Sequence, residues 1–178
     1  MAAPSAIEPH RLFVRGRLRS AATEDLTGLL GGVESVTCRV TREAGGGQRF
    51  DPADVERVRG AGLDFILRFG FNIIRGDILG SARWGVWSFH HDDLEVYRGM
   101  PACFWPMHLG DTVQGVTLQR LTDGLDRGVV IERSWLKCIR SSYAKNRDTA
   151  FLFNADMPAR ACRRIAAGRT EALEAEPS

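Results

Sequence analysis

A serine and a histidine stand two residues apart in segment 85–99, which reads GVWSFHHDDLEVYRG. Because side chains on a β-strand alternate between its two faces, Ser88 and His90 would project from one face, and Trp87 and Phe89 from the other. A histidine titrates near neutral pH, so the pair offers a hydroxyl beside a group that exchanges protons. The spacing therefore predicts a reactive site at the end of this strand.

The segments around this strand predict an α/β fold with a cleft at that position. An aspartate and a proline at its start predict a helix over 52–60. The apolar run at 63–69 predicts a buried parallel strand, and a helix near 76–83 leads to the strand at 85–90. Ligands of open α/β sheets bind beyond the carboxyl ends of the strands. The predicted class is a Rossmann-like, open and mostly parallel sheet.

The rest of the chain predicts a different pattern on either side of that sheet. A β-branched segment at 33–40 predicts a strand. Two further runs, 114–122 and 128–136, are joined by a link too short for a parallel crossover, so they predict an antiparallel hairpin. The segment 141–168 is expected to be helical and to break at Pro158. We expect a loosely packed lead-in over 1–30, one catalytic domain over 31–168 and a frayed tail over 169–178.

Several separated motifs agree with one known family. They are the segment 85–99, Gly110-Asp111, Gly115-Val-Thr-Leu-Gln and Leu125-Asp-Arg-Gly. In order and spacing they resemble the core of the folate-dependent formyltransferases, which include the methionyl-tRNA, glycinamide ribonucleotide and sugar N-formyltransferases. The resemblance covers about residues 62 to 132 and implies the formyltransferase fold. Its front edge would be truncated, because few residues precede Val33.

The resemblance implies a catalytic set and a reaction. The family carries Asn-x-His at a strand end and an aspartate in a later loop, which His90 and Asp126 match, while Ser88 stands in the place of the asparagine. The implied reaction moves a formyl group from 10-formyltetrahydrofolate to an amine. His90 would donate to the oxyanion or shuttle the proton, Asp126 would hold the charge and orientation of His90, and Ser88 would be the second oxyanion donor.

The resemblance also implies residues that bind the two substrates. The pterin end of the donor would lie against two segments, formed by Phe71, Asn72, Ile73, Leu121, Thr122 and Gly124. Arg98 and Gly99 match a turn near the acceptor amine. The chain lacks room for the β-barrel domain that the tRNA enzyme carries, so we expect a small-molecule amine such as an amino sugar rather than tRNA.

Other chemistries fit these residues less well. The run His90-His91-Asp92-Asp93 suggests a metal, but neighbouring strand histidines point to opposite faces, so we expect no metal. A serine nucleophile would need a Gly-x-Ser-x-Gly turn, and Ser88 lacks one. The second hypothesis that stays open is a catalytically weak or inactive paralogue that binds folate or a protein partner, because Ser88 replaces asparagine.

Composition places the protein among ordinary globular domains. The 178 residues are 44% hydrophobic and 26% charged, and a net charge of +2 gives no electrostatic signal for nucleic acid. The four cysteines form no C-x-x-C pair, which indicates reduced thiols. No apolar run is long enough for a signal peptide or a membrane span. We therefore expect a cytoplasmic protein with no membrane partner.

Overall fold

The computed structural model describes residues 18–175 and contains two β-sheets flanked by helices. In chain order the strands are β1 (Val40–Arg42), β2 (Gly47–Phe50), β3 (Ile66–Leu67), β4 (Ile73–Arg75), β5 (Val86–His90), β6 (Val113–Arg120) and β7 (Val129–Lys137). The α-helices are α1 (Thr27–Leu30), α2 (Pro52–Gly60), α3 (Trp105–Leu109), α4 (Tyr143–Phe153), α5 (Met157–Ala166) and α6 (Glu171–Glu174). Within these residues, 3-10 helices lie at Arg19–Ala21, Ala44–Gly46 and Asp77–Gly80.

The strands form a three-stranded sheet in the order β1-β2-β4 and a four-stranded sheet in the order β3-β5-β6-β7. The pairs β2–β4 and β3–β5 are parallel, and the other pairs of described strands are antiparallel. The predicted α/β class and the hairpin of β6 and β7 are confirmed. Parallel pairing is less extensive than predicted, because β6 runs back along β5 and makes the rest of that sheet antiparallel.

Strand β5 separates two apolar clusters, as its sequence pattern predicts. Trp87 and Phe89 pack on the side that carries the C-terminal helices. Val86 faces the other way, into a cluster with Val55 of α2 and Ile74 of β4. Because both faces of β5 are covered, this strand is held on both sides. Its carboxyl end, which carries His90, therefore has a fixed position.

Helix α2 confirms the prediction for 52–60. The side chain of Asp51 accepts a hydrogen bond from the amide of Ala53 at 2.9 Å and so caps the first turn. Such a cap contributes about 1 kcal/mol to helix stability. Pro52 occupies the first turn, where its missing N–H removes no helical hydrogen bond.

The prediction of a strand over 33–40 is wrong over most of its length, because β1 begins only at its last residue. Side chains of α2 bind this backbone instead. A carboxylate oxygen of Asp54 accepts from the amide of Arg39 at 2.6 Å, and Arg57 donates to the carbonyl of Thr37 at 3.0 Å. The backbone of this segment is thus bound by side chains of a helix and not by a neighbouring strand.

Two other elements are shorter than predicted. Of the apolar run 63–69, only Ile66–Leu67 forms a strand, the edge strand β3. Phe65, just before it, stacks its ring on that of Trp87 at a centroid distance of 4.1 Å. The helix expected near 76–83 is the 3-10 helix between β4 and β5. It ends where the hydroxyl of Ser81 donates to a carbonyl of the same turn. Both segments nevertheless have the predicted place in chain order, with β3 after α2 and the 3-10 helix before β5.

The C-terminal helices confirm the helical prediction for 141–168 but place the break earlier. Helix α4 ends before Asn154, whose buried amide donates to the carbonyl of Ala150 at 3.0 Å. Pro158 lies in the first turn of α5, where a proline is tolerated, so it begins a helix rather than breaking one.

Part of each chain end packs against the body of the domain. Asp148 of α4 accepts from the amides of Arg19 and Ser20, each at 2.9 Å. Residues 171–174, expected to fray, form α6, because Leu173 is buried in the core cluster that contains Trp87. Residues 1–17 and 176–178 lie outside the described residues, and the division into lead-in, domain and tail stays a prediction.

The helices of the described segment are all short. None of those within 18–175 combines the length and the apolar character needed to cross a membrane.

Candidate active site

A cavity of about 730 Å³ opens beside the end of β5, next to the loop 121–128. This volume lies within the range of about 300–1,000 Å³ that is typical of small-molecule sites. All the residues predicted for the site line it except Ser88 and Arg98. The predicted residues in its wall are Phe71, Asn72, Ile73, His90, Gly99, Leu121, Thr122, Gly124 and Asp126. Residues from four separate segments thus meet at one cavity.

His90 is the last residue of β5 and is half-buried in the cavity wall. Its Nε2 lies 2.8 Å from the carbonyl oxygen of Tyr97. A carbonyl oxygen only accepts hydrogen bonds, so Nε2 carries the proton in this contact. In a neutral ring, Nδ1 is then the nitrogen that can accept a proton. The ring is therefore oriented by a backbone group and keeps one nitrogen for chemistry.

Asp126 lies in the loop between β6 and β7 and is half-buried in the same cavity. Its φ of 50° lies in the left-handed region, which residues other than glycine seldom adopt, so the loop holds this residue in an unusual backbone conformation. Within residues 18–175, no ion pair of 4 Å or less joins Asp126 to His90. The structure brings the two side chains to one cavity without direct contact, and their catalytic roles stay predictions.

Ser88 lies under the cavity rather than in its wall. Its side chain is only 2% exposed, and its hydroxyl accepts a hydrogen bond from Nη1 of Arg68 at 2.9 Å. The hydroxyl itself donates to the carbonyl of Phe89 at a long 3.3 Å. The Ser88 hydroxyl donates to the backbone in this structure, and its role as an oxyanion donor, which the resemblance implies, stays a prediction.

Arg68 is a cavity residue that the sequence analysis missed. It follows β3 directly, and its guanidinium donates to the carbonyls of Phe71 and Asn72 as well as to Ser88. Burial lowers the pKa of Arg68 from its ordinary value, although a guanidinium stays charged at neutral pH. The one sequence signal is a cation at the end of an apolar run, which becomes informative only once β3 is placed beside β5.

The two segments expected to hold the pterin are tied to each other and to the first sheet. The amide of Asn72 donates to the side chain of Gln48 at 2.9 Å. Across the cavity, the carboxylate of Asp123 accepts from the amide of Gly76 at 2.9 Å, and its carbonyl accepts from Arg75 at 2.8 Å. The loop 121–128 is therefore fastened to the strand that leads away from Asn72.

The predicted acceptor residues separate in the structure. Gly99 lines the cavity with a φ of 103°, a conformation that favours glycine. Arg98 is exposed, does not line the cavity, and donates from Nε to the carbonyl of Leu94 at 3.1 Å. The guanidinium that reaches the cavity is thus that of Arg68, and a role of Arg98 toward an acceptor stays a prediction.

His91 follows the last residue of β5 and also lines the cavity, but its ring packs against aromatic side chains. Its ring is stacked between Phe89 and Phe151, with centroid distances of 5.4 and 3.4 Å. Burial, with smaller repulsion from His90 and Arg147, lowers the pKa of His91 to about 3. A neutral aromatic ring in the core explains this histidine.

Asp92, which the sequence brought up only within the run considered for a metal, is a buried carboxylic acid at the edge of the cavity. One of its oxygens accepts from the amide of Cys103 at 2.8 Å, and the other has no partner among the described residues. Burial raises the pKa of Asp92 to about 7, against a smaller lowering by the Cys103 amide. Asp92 therefore changes charge near neutral pH.

Metal binding finds no geometric support in the described part of the chain. No group of three or more histidine, cysteine, aspartate or glutamate side chains there is arranged to hold a metal ion.

Curated relatives match about half of the chain. The methionyl-tRNA formyltransferase of Phenylobacterium zucineum (strain HLK1) is 34% identical over 89 residues, which are 49% of this chain and 29% of that protein. The methionyl-tRNA formyltransferase of Agathobacter rectalis is 32% identical over 88 residues, which are 49% of this chain and 28% of that protein. The chain thus spans less than a third of the length of these relatives. No family model matches the chain.

Solved structures share the fold. A glycinamide ribonucleotide transformylase from Symbiobacterium toebii superposes with a TM-score of 0.58 and 24% identity, covering 66% of this chain and 56% of that one. A formyltetrahydrofolate deformylase from Pseudomonas syringae pv. tomato superposes with a TM-score of 0.55 and 22% identity, covering 66% and 40%. The relatives in sequence and the shared fold together confirm the predicted resemblance: this chain is similar to formyltransferases over about half of its length and has the formyltransferase fold.

Proposed function

We propose that the protein is an N-formyltransferase that moves a formyl group from 10-formyltetrahydrofolate to a primary amine of a small molecule. One observation carries this proposal. His90 and Asp126, which lie far apart in the sequence, line the same cavity with the wall residues expected for the donor. The sequence matches to formyltransferases support the same one-carbon chemistry.

The cavity walls suit a folate donor, which supplies the activated formyl carbon. Phe71, Ile73 and Leu121 offer apolar surface to a fused ring, and Asn72 and Thr122 offer polar groups for its edges. A protein of the same fold carries the name formyltetrahydrofolate deformylase, which supports a formylated folate as the ligand.

His90 and Asp126 have different roles in the proposed transfer. The amine nitrogen forms a bond to the formyl carbon, and the bond from that carbon to N10 of the folate breaks. Nδ1 of His90 accepts the proton that leaves the amine, and the same imidazole returns it to N10. The carboxylate of Asp126 stabilises the imidazolium across the cavity. A hydrogen-bond donor must also meet the negative charge that develops on the formyl oxygen.

The acceptor is proposed to be a small amine, with amino sugars as the first class to examine. The cavity of about 730 Å³ is of a size for a pterin and a compact acceptor together. A net charge of +2 provides little attraction for nucleic acid. The structure has four free thiols, those of Cys38, Cys103, Cys138 and Cys162. Free thiols support a reducing compartment such as the cytoplasm.

The direct test is formyl transfer in vitro. The protein is incubated with 10-formyltetrahydrofolate and a panel of primary amines that includes amino sugars, and formylated product and released tetrahydrofolate are quantified. We expect turnover with at least one amine, and a loss of about 10²–10⁴-fold in His90→Ala, the usual worth of a positioned acid–base group. Absence of turnover with every amine, together with retained folate binding, would leave the inactive paralogue.

A further inference from the structure

Arg68 lies beside the predicted catalytic residues because of the way two strands pair. Strands β3 and β5 are parallel, with Ile66 opposite Val86 and Leu67 opposite Trp87. Arg68 follows in the same register, and its amide donates to the carbonyl of Trp87 at 2.8 Å. Paired strand residues point to the same face, so Arg68 extends on the face that carries Ser88 and, two residues on, His90.

The hydrogen bonds of Arg68 leave part of its donor capacity unused. A guanidinium has five N–H groups. One on Nη1 binds Ser88, and the two on Nη2 bind the carbonyls of Phe71 and Asn72. The second N–H of Nη1 and the buried Nε have no partner among the described residues. Three hydrogen bonds therefore hold this cation in the cavity wall, and because Nε is buried, the second N–H of Nη1 is the donor that remains for a ligand.

The charge of Arg68 is also uncompensated. Within residues 18–175, every ion pair formed at 4 Å or less involves other arginines, so no carboxylate neutralises this one. Removing a cation from water without a counter-charge costs free energy. Negative charge that enters the cavity, on a ligand group or during the reaction, is therefore stabilised by Arg68.

We propose that Arg68 is the second donor to the formyl oxygen, and that Ser88 is a positioning residue that holds Arg68 in place. This inference rests on the proposed function and assigns the donor that the mechanism lacks. As the amine nitrogen bonds to the formyl carbon, the carbonyl electron pair moves to the oxygen, and an N–H of Arg68 meets that charge. The negative charge on the formyl oxygen is lost again when the bond to N10 breaks and the carbonyl forms again. Arg68 neither gains nor loses a proton.

The kinetic test separates this role from simple binding. Arg68→Gln and Arg68→Ala are compared with the wild-type protein in the transfer assay. We expect kcat to fall about 10²–10³-fold, the usual loss for one oxyanion donor. This fall should exceed any rise in KM for the donor that follows from releasing the carbonyls of Phe71 and Asn72. Arg42→Gln, which removes an exposed arginine of β1, is the matched control and should retain wild-type kcat. Thermal unfolding verifies that each variant is folded.

A rescue variant tests the pairing of Arg68 with Ser88. Arg68→Ala opens space beside residue 88, and adding Ser88→Asn supplies an amide N–H donor there. We expect the double variant to recover at least tenfold of the kcat lost in Arg68→Ala. Wild-type kcat in Arg68→Gln, or a loss confined to KM, would overturn the inference. A rise in KM for the amine alone would instead identify a carboxylate or phosphate of the acceptor as the ligand of Arg68.

Failure of the proposed function is recognised separately, because it appears as absence of turnover in the wild-type protein. In that event formate is the probe, and its binding to the wild-type protein and to Arg68→Gln is followed by nuclear magnetic resonance. Arg68-dependent formate binding would retain an anion-binding role for this residue. Equal binding, or none, would overturn that role as well.

Discussion

At the scale of single residues, His90, Asp126 and Arg68 line one cavity, and Arg68 donates to the hydroxyl of Ser88. His90 and Asp126 could be identified from their motifs, and both line the cavity. Ser88 could be identified too, but its contact with Arg68, which lies 20 positions earlier, depends on the register of β3 and β5. A contact across strands leaves no local pattern in the sequence, so Arg68 could not be predicted.

The stability of the protein should depend on pH through two adjacent residues with shifted pKa values, His91 and Asp92. Between pH 3.8 and about 7, Asp92 holds a proton in the folded protein that the unfolded chain has lost, so its contribution to stability falls as pH rises. His91 acts in the opposite direction. Between pH 6.5 and about 3 it is neutral in the folded protein but charged in the unfolded chain, so stability falls as pH drops. The two effects partly cancel in the wild-type protein.

A difference measurement isolates Asp92. We expect the free energy of unfolding of Asp92→Asn, relative to the wild-type protein, to increase from about pH 4 to about pH 7 and to level off above. Urea unfolding at a series of pH values measures this difference. Asp64→Asn, a substitution of an exposed carboxylate, should give a constant difference. Parallel curves for Asp92→Asn and the wild-type protein would show that Asp92 ionises normally.

At the scale of elements, the site depends on strand ends and on the loop that crosses above them. The alternation of β5 and the hairpin of β6 and β7 could be predicted, because period-two patterns and a short link specify them. The segment at 33–40 could not, because its backbone binds side chains of α2 that have no counterpart in the strand pattern. The loop 121–128 owes its position to Asp123, which joins it to the end of β4.

Loosening that loop should affect donor binding more than chemistry. Asp123→Ala removes the hydrogen bond to the amide of Gly76, worth about 1 kcal/mol. We expect KM for 10-formyltetrahydrofolate to rise by up to about tenfold, with kcat changed less than about threefold. Steady-state kinetics measure both constants, with Asp64→Ala as the matched control. A large fall in kcat at unchanged KM would mean that the loop positions reacting groups directly.

At the scale of the whole molecule, the C-terminal helices contribute to the core cluster that packs against the four-stranded sheet. Leu173 of α6 is 6% exposed and shares a cluster with Trp87 and Leu118 of the four-stranded sheet. Arg120, at the end of β6, donates to the carbonyl of Ala175. The polar composition of the last residues predicts fraying, but one apolar side chain anchors them, and single anchors are not visible in composition.

Truncating this anchor should destabilise the entire domain. We expect Leu173→Ala to lower the free energy of unfolding by about 2 kcal/mol or more, as buried leucine-to-alanine changes do. Leu29→Ala, at a leucine that is 81% exposed, should change it by less than about 0.5 kcal/mol. Urea unfolding compares the two. Equal stability of both variants would show that α6 does not contribute to the core.

The proposed transfer of a formyl group takes place in the cavity that His90 and Asp126 share. Its most direct test is single-turnover transfer from 10-formyltetrahydrofolate to an accepted amine, measured for the wild-type protein, His90→Gln and Asp126→Asn. We expect both variants to bind the donor as the wild-type protein does but to transfer the formyl group at least about 100-fold more slowly. Transfer at the wild-type rate in either variant would show that the residue changed does not take part in the reaction.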